Sequence, residues 1–146
     1  MSWSGTRSRI LVDSSVWIAN FRDPTASLAD RLRTLIDDDL VAVAGAIVYE
    51  VLQGTRTSQE FEAIRQIFLP LRWLPAQPAS WVAAAGMAAG LRRRGLSFPM
   101  TDILLATLAR EHRCHIWSLD PHFTLIPGVR LFSPPKVRPG PRRPRR

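Results

Sequence analysis

Four carboxylates stand where the surrounding sequence makes a carboxylate expensive. Asp13 closes the apolar run Ile10-Leu11-Val12, and Glu50 interrupts Ile47-Val48-Tyr49 and Val51-Leu52. Asp102 precedes Ile103-Leu104-Leu105-Ala106, and Asp120 ends Ile116-Trp117-Ser118-Leu119. An ionised acid in such surroundings costs free energy unless a cation or hydrogen-bond donors meet it. Carboxylates converging from separate elements suit a hard divalent ion such as Mg²⁺, which takes oxygen ligands in octahedral geometry. Without an ion they raise one another's pKa. With one, such a site can orient a phosphate, offset the charge built up in attack and make a water more acidic. A helix N-terminus expected at Asp102 favours its ionised form. Each acid also has a plainer reading: Asp13 caps a helix, Asp102 is a first-turn acid, Glu50 faces solvent, and Asp120 opens a turn with Pro121. Spacing alone does not name a reaction.

The elements that must position these acids follow from periodicity and punctuation. Residues 9–12 form a strand, and Ser14 or Ser15 caps a helix carrying Val16, Trp17 and Phe21. Pro24 opens a second helix at its first turn, with Leu28, Leu32, Leu35 and Ile36 at helical spacing. Asp37-Asp38-Asp39 ends it as a solvated turn, since contiguous acids point in different directions. A strand over 40–44 leads to a helix over 46–53 that carries Glu50 and stops at Gly54. Thr57 or Ser58 with Glu60 opens a fourth helix, and residues 72–74 form a short strand. An Ala-rich helix covers 78–94, its Arg92-Arg93-Arg94 end suiting the helix dipole. A further helix runs from Ser97 and Pro99 to Arg113, residues 115–119 form a strand, and 129–132 form a last short one. Alternating strands and helices mean a parallel sheet covered on both faces, whose ligands bind at the carboxyl ends of the strands. Asp13 and Asp120 fall at such ends. Ser118 shares a side of its strand with Asp120, because side chains alternate with period two.

Composition narrows the function. The chain has 146 residues, 46% of them apolar, enough for one domain with a core. Its net charge is +8, but Lys136, Arg138, Arg142, Arg143, Arg145 and Arg146 supply six, leaving +2 for the rest. The expected division is a folded domain over 8–133 and a disordered Pro/Arg-rich tail over 134–146. The tail is a candidate for salt-sensitive RNA affinity. Cys114 is the sole cysteine, which excludes an internal disulfide and a thiolate zinc cluster, and it is expected to be a buried hydrophobe. Lys136 is the sole lysine, which argues against phosphoryl-accepting receiver domains and haloacid-dehalogenase-like phosphatases. The sequence contains no Gly-Lys-Ser/Thr phosphate loop. No apolar run reaches the roughly 20 residues of a membrane span or forms a signal-peptide core, so the expected setting is cytoplasmic. Trp17, Phe21, Trp73, Trp81 and Trp117 are expected in the core or at a dimer interface.

Four segments resemble, in order and spacing, the motifs of PIN domains, in particular VapC-type toxins of toxin–antitoxin pairs. They are Ile10-Leu11-Val12-Asp13-Ser14-Ser15-Val16-Trp17, Tyr49-Glu50-Val51-Leu52-Gln53-Gly54, Thr101-Asp102-Ile103-Leu104-Leu105-Ala106 and Ser118-Leu119-Asp120-Pro121-His122-Phe123. The resemblance covers residues 9–132. It implies an α/β/α sandwich and a Mg²⁺- or Mn²⁺-dependent endoribonuclease that cuts RNA with metal-activated water. It further implies a homodimer silenced by a VapB-type antitoxin. Carried over by position, Asp13, Glu50, Asp102, Asp120 and Ser118 form the catalytic site, with Asp13, Asp102 and Asp120 on the metal and Glu50 tuning it or assisting as base. One position departs: many members carry an aspartate where this chain has His122, a poorer magnesium ligand. That favours one metal position over two and makes His122 a surface turn residue or a contact to RNA phosphate. The rival reading is a noncatalytic RNA- or protein-binding module on the same scaffold.

Overall fold

Apolar triplets become buried strands in the computed structural model, which describes residues 7–134. β1 (Ile10–Val12) and β2 (Val41–Val43) are buried at every position. β3 (Arg72–Trp73) is an exposed edge, and β4 (His115–Trp117) buries Ile116 and Trp117. Strands that are apolar without alternation are what a sheet covered on both faces requires. The four strands are all parallel, in the order β3-β2-β1-β4.

Parallel neighbours need long crossovers, and helix pairs supply them. α1 (Ser14–Arg22) and α2 (Ser27–Asp37) join β1 to β2, and α3 (Gly45–Gln53) and α4 (Ser58–Phe68) join β2 to β3. α5 (Pro78–Arg93) and α6 (Met100–Glu111) join β3 to β4. The result is the expected three-layer α/β/α sandwich. α6 is buried at every residue from Ile103 to Ala109, which makes it a core helix rather than a surface one. Trp17 packs edge-on against Phe68 of α4 at 4.8 Å between ring centres. Ser80 of α5 donates to Glu111 of α6 at 2.8 Å. Thr57 caps α4 by accepting from the Glu60 amide, while Glu60 accepts from the Arg56 amide.

The chain progresses outward from β1 to β2 to β3 and then returns to the other side of β1 for β4. The strand order therefore reverses between β1 and β4, and the crevice beyond their carboxyl ends is where such a sheet takes ligands.

Several local expectations are corrected. α2 begins at Ser27, because Asp23 first closes a turn: its Oδ1 accepts from the Thr25 amide and hydroxyl. The strand expected over 129–132 is reduced to one parallel bridge, Ile116 to Leu131. A 3₁₀ turn over Pro121–Leu125 follows Asp120, where no element was expected. Of the tryptophans expected in the core or at an interface, Trp17 and Trp117 are core residues and Trp73 and Trp81 lie at the surface, which leaves that expectation uncorrected. The basic tail expected over 134–146 lies, apart from Pro134, outside the described residues. No helix among the described residues is long and apolar enough to cross a membrane.

Candidate active site

Asp13 occupies the N-cap position of α1, yet its side chain makes no cap hydrogen bond. It is only 6% exposed. Ser14 and Ser15, expected as caps, lie instead within the first turn of α1. Successive helical residues are rotated by roughly 100°, so the two hydroxyls serve different neighbours. Ser14 Oγ donates to Glu50 Oε2 on α3 at 2.8 Å. Ser15 Oγ donates to Asp13 Oδ2 at 2.8 Å and accepts from the Leu119 amide at 3.0 Å.

Ser118, just beyond β4, completes this arrangement. Its hydroxyl donates to the same Asp13 Oδ2 at 2.8 Å and accepts from the Asp120 amide at 2.9 Å. Two hydroxyls therefore hold one oxygen of Asp13 and tie it to the loop that carries Asp120. Asp120 Oδ1 accepts from the His122 amide at 2.9 Å, which starts the 3₁₀ turn. That turn brings the His122 imidazole back over the acids. Nδ1 lies 3.3 Å from Asp120 Oδ1 and 3.7 Å from Asp102 Oδ2. Phe98 packs edge-on against the imidazole at 6.1 Å.

Asp102 sits in the first turn of α6. Burial pushes its carboxyl pKa up, and the charges of Asp13, Asp120 and Glu50 add to that, with His122 pulling the other way. The helix N-terminus was expected to favour ionisation; burial and like charge outweigh it. Asp102 Oδ2 is buried with no hydrogen-bond partner. A buried carboxylate oxygen without a donor is suited to a cation or an ordered water. Donor atoms of Asp102, Asp120 and His122 all fall within 4.8 Å of one another, close enough to share an ion. Among the described residues this is the group that closes to such distances. Asp13 and Glu50 flank it, near enough to act on Asp102. Two carboxylates and an imidazole fit a divalent ion, with softer donor chemistry than carboxylates alone.

The five residues expected at the site thus gather at one end of the sheet. Ser14, Ser15 and His122 join them without having been singled out for it. Adjacent hydroxyls after a strand-end acid were the available signal for the serines. Beside Ser118, a cavity of about 1000 Å³ opens between α2 and the segment 132–134, with Arg31 and Phe132 in its wall. The Arg31 guanidinium lies 5.7 Å from the centre of the Phe132 ring.

Comparison with known proteins identifies the family and the fold. The PIN domain family model matches residues 10–129, and the chain belongs to the PIN-domain family. Ribonuclease VapC11 of Mycobacterium tuberculosis is 29% identical over 124 residues, covering 82% of this chain and 92% of that protein. Among solved structures, VapBC2 from Rickettsia felis, bound to a DNA fragment from its promoter, superposes with a TM-score of 0.73 at 16% identity. It covers 84% of this chain and 96% of that one. Mycobacterium tuberculosis VapC20, a toxin that cleaves the sarcin–ricin loop, gives a TM-score of 0.60 at 18% identity, covering 89% and 99%. At these identities the two structures establish the fold.

Proposed function

We propose that this protein is a divalent-metal-dependent endoribonuclease and the toxin of a toxin–antitoxin pair, with its nuclease domain over residues 8–133. The observation that carries the reading is the buried, unpartnered Oδ2 of Asp102 beside Asp120 and His122, with Asp13 held alongside. The ribonuclease named among its relatives supports RNA as substrate, and the VapBC complex among its structural neighbours supports a VapB-type antitoxin as partner. A homodimer acting in the cytoplasm belongs to the same reading.

Asp102 and Asp120 would hold the ion, with His122 close enough to join them and Asp13, expected on the metal, alongside; Glu50 stands at the rim, and the ion is Mg²⁺ or Mn²⁺. When bound, the ion neutralises phosphate charge and makes a water more acidic. The protein's own part is placement. Ser15 and Ser118 both hold one oxygen of Asp13. Ser14 fixes Glu50, which is then positioned to accept a proton.

End-mapping of cellular RNA after brief expression tests the reaction. Water as nucleophile leaves 5′-phosphate and 3′-hydroxyl ends, whereas cyclic phosphate ends would overturn the mechanism. Metal-independent RNA binding without cleavage would support the noncatalytic module instead. The hydroxyl relay adds a second expectation. Ser15→Ala removes a donor to Asp13 and leaves the Leu119 amide without its acceptor. Changes to residues that orient metal-site carboxylates typically cost 10–100-fold, so single-turnover cleavage should fall by about that factor. Ser15→Thr, which keeps the hydroxyl, should recover most of it.

A further inference from the structure

The pole of the sheet opposite the carboxylates is built from arginines. In a parallel sheet all strands begin at the same end, so residues preceding different strands meet there. Arg7 and Arg9 precede β1, Arg72 opens β3, Arg113 precedes β4, and Arg130 precedes the bridge residue Leu131. Together with His112 they line a cavity of about 400 Å³ with buried Cys114 at its wall. Burial pushes the Cys114 thiol pKa up, while Arg9, Arg130 and Arg72 pull it down. Arg113 holds this position from a left-handed backbone, φ +54°, a conformation that costs a non-glycine residue free energy.

The pocket lacks counter-charge. All 12 acids of the chain lie between residues 13 and 120. Of these, only Asp39 pairs with one of the five arginines, at 3.2 Å from Arg9, and its side chain is 81% exposed. Neither terminal segment outside the described residues contains an acid. Arg9 Nε is buried and has no hydrogen-bond partner among the described residues. Guanidinium forks bind phosphate and carboxylate oxygens in a bidentate fashion, and a phosphodiester chain presents such charges in a row. Five positive charges exceed what a single phosphodiester neutralises, and four of the five arginines are exposed. An open rim of that kind suits a chain of phosphates passing across it.

We propose that this arginine pocket is an exosite for the phosphodiester backbone of RNA, seating the substrate at the amino ends of the strands while the carboxylates act at the other pole. The exosite rests on the ribonuclease reading for the identity of its polyanion.

The test is fluorescence anisotropy of a labelled single-stranded RNA oligonucleotide with the full chain in EDTA, across a salt series. The pocket variant is R72Q/R113N/R130Q. Asn tolerates the left-handed backbone at residue 113, and all three positions are exposed, so the fold should persist with an unchanged Tm. The control variant R92Q/R93Q/R94Q removes equal charge from the end of α5. Each phosphate contact contributes about 0.7 to the salt slope for single strands, so the pocket variant should flatten it by roughly 2 and weaken binding about 100-fold at 0.1 M salt. The control should change the slope by much less. Equal losses in both variants, or none in the pocket variant, would overturn the exosite. Inorganic phosphate that binds the wild type, alongside unaltered RNA binding by the pocket variant, would assign the pocket to a small phosphate and also overturn it. Binding in EDTA does not require cleavage. A chain that never cuts RNA yet loses RNA affinity in the pocket variant keeps the exosite and refutes the ribonuclease reading.

Discussion

Asp102→Asn is expected to reduce RNA cleavage by about 10³-fold or more and, at the same time, to make the metal-free protein more stable. The two effects have one cause. Asp102 places a charge in a buried position, with one oxygen lacking any donor and with Asp13, Asp120 and Glu50 nearby. That arrangement is useful only when a cation fills it. Loss of a charge-stabilising contact worth about 4 kcal/mol corresponds to the 10³-fold effect on rate. The stability effect runs the other way. The unfolded carboxyl titrates near 3.8, and the folded one is raised above that. Below 3.8 both states carry the proton. Between that value and the raised one the native state binds more protons than the unfolded state, so stability falls as pH rises through the window. Above it the cost is fully present. Asparagine is similar in shape and carries no charge. Relief of that charge at pH 7 should raise Tm by a few degrees, and the advantage should shrink as pH falls toward 3.8. Thermal melts in EDTA across pH read this directly. A variant that melts below wild type at pH 7, or that still cuts, contradicts the account.

Removal of divalent ions is expected to stop cleavage and to lower the Tm of the wild type while leaving Asp102→Asn nearly unmoved. An ion at 100 times its Kd stabilises the folded state by about 2.7 kcal/mol, and a variant that binds it poorly forgoes this. His122 adds a preference among ions. Its Nδ1 stands 3.3 Å from Asp120 Oδ1 and 3.7 Å from Asp102 Oδ2. Imidazole is a better donor to transition metals than to magnesium. Mn²⁺ should therefore bind more tightly than Mg²⁺, by about 10-fold or more. His122→Asp should narrow the gap by strengthening Mg²⁺ binding. Calorimetric titration of both ions into both proteins measures this without reference to activity. An unchanged ratio in His122→Asp would remove the imidazole from the site.

The sequence by itself placed Asp13 and Asp120 at the carboxyl ends of buried strands and Asp102 at the head of an apolar helix. Local pattern carries that information: short unbroken apolar runs for strands, a 3.6-residue period for helices, and an acid where an apolar run stops. It also fixed the parallel three-layer class, because strand and helix alternate. The Thr57 cap was legible because its partners lie within three residues. Boundaries set by turn hydrogen bonds were less so. The Asp23 turn delayed α2, and the 129–132 strand lost all but one bridge.

What only the tertiary structure decided is which side chains meet. The order β3-β2-β1-β4 set β4 beside β1, and this alone brings Ser118 to Asp13 across 105 residues of chain. It also brings the Leu119 amide onto the Ser15 hydroxyl across 104 residues, whereas the Ser15 contact to Asp13 is local to the β1–α1 turn. A 3₁₀ turn that left no periodic trace swung His122, expected as a surface turn residue or an RNA contact, against the acids. The same parallel order gathered five scattered arginines at the far pole. Each of these contacts depends on which elements pack side by side, and that is settled by burial of the whole core rather than by any local pattern. The four carboxylates could therefore be found along the chain, whereas their hydroxyl supports and the opposing arginines appear only once it folds.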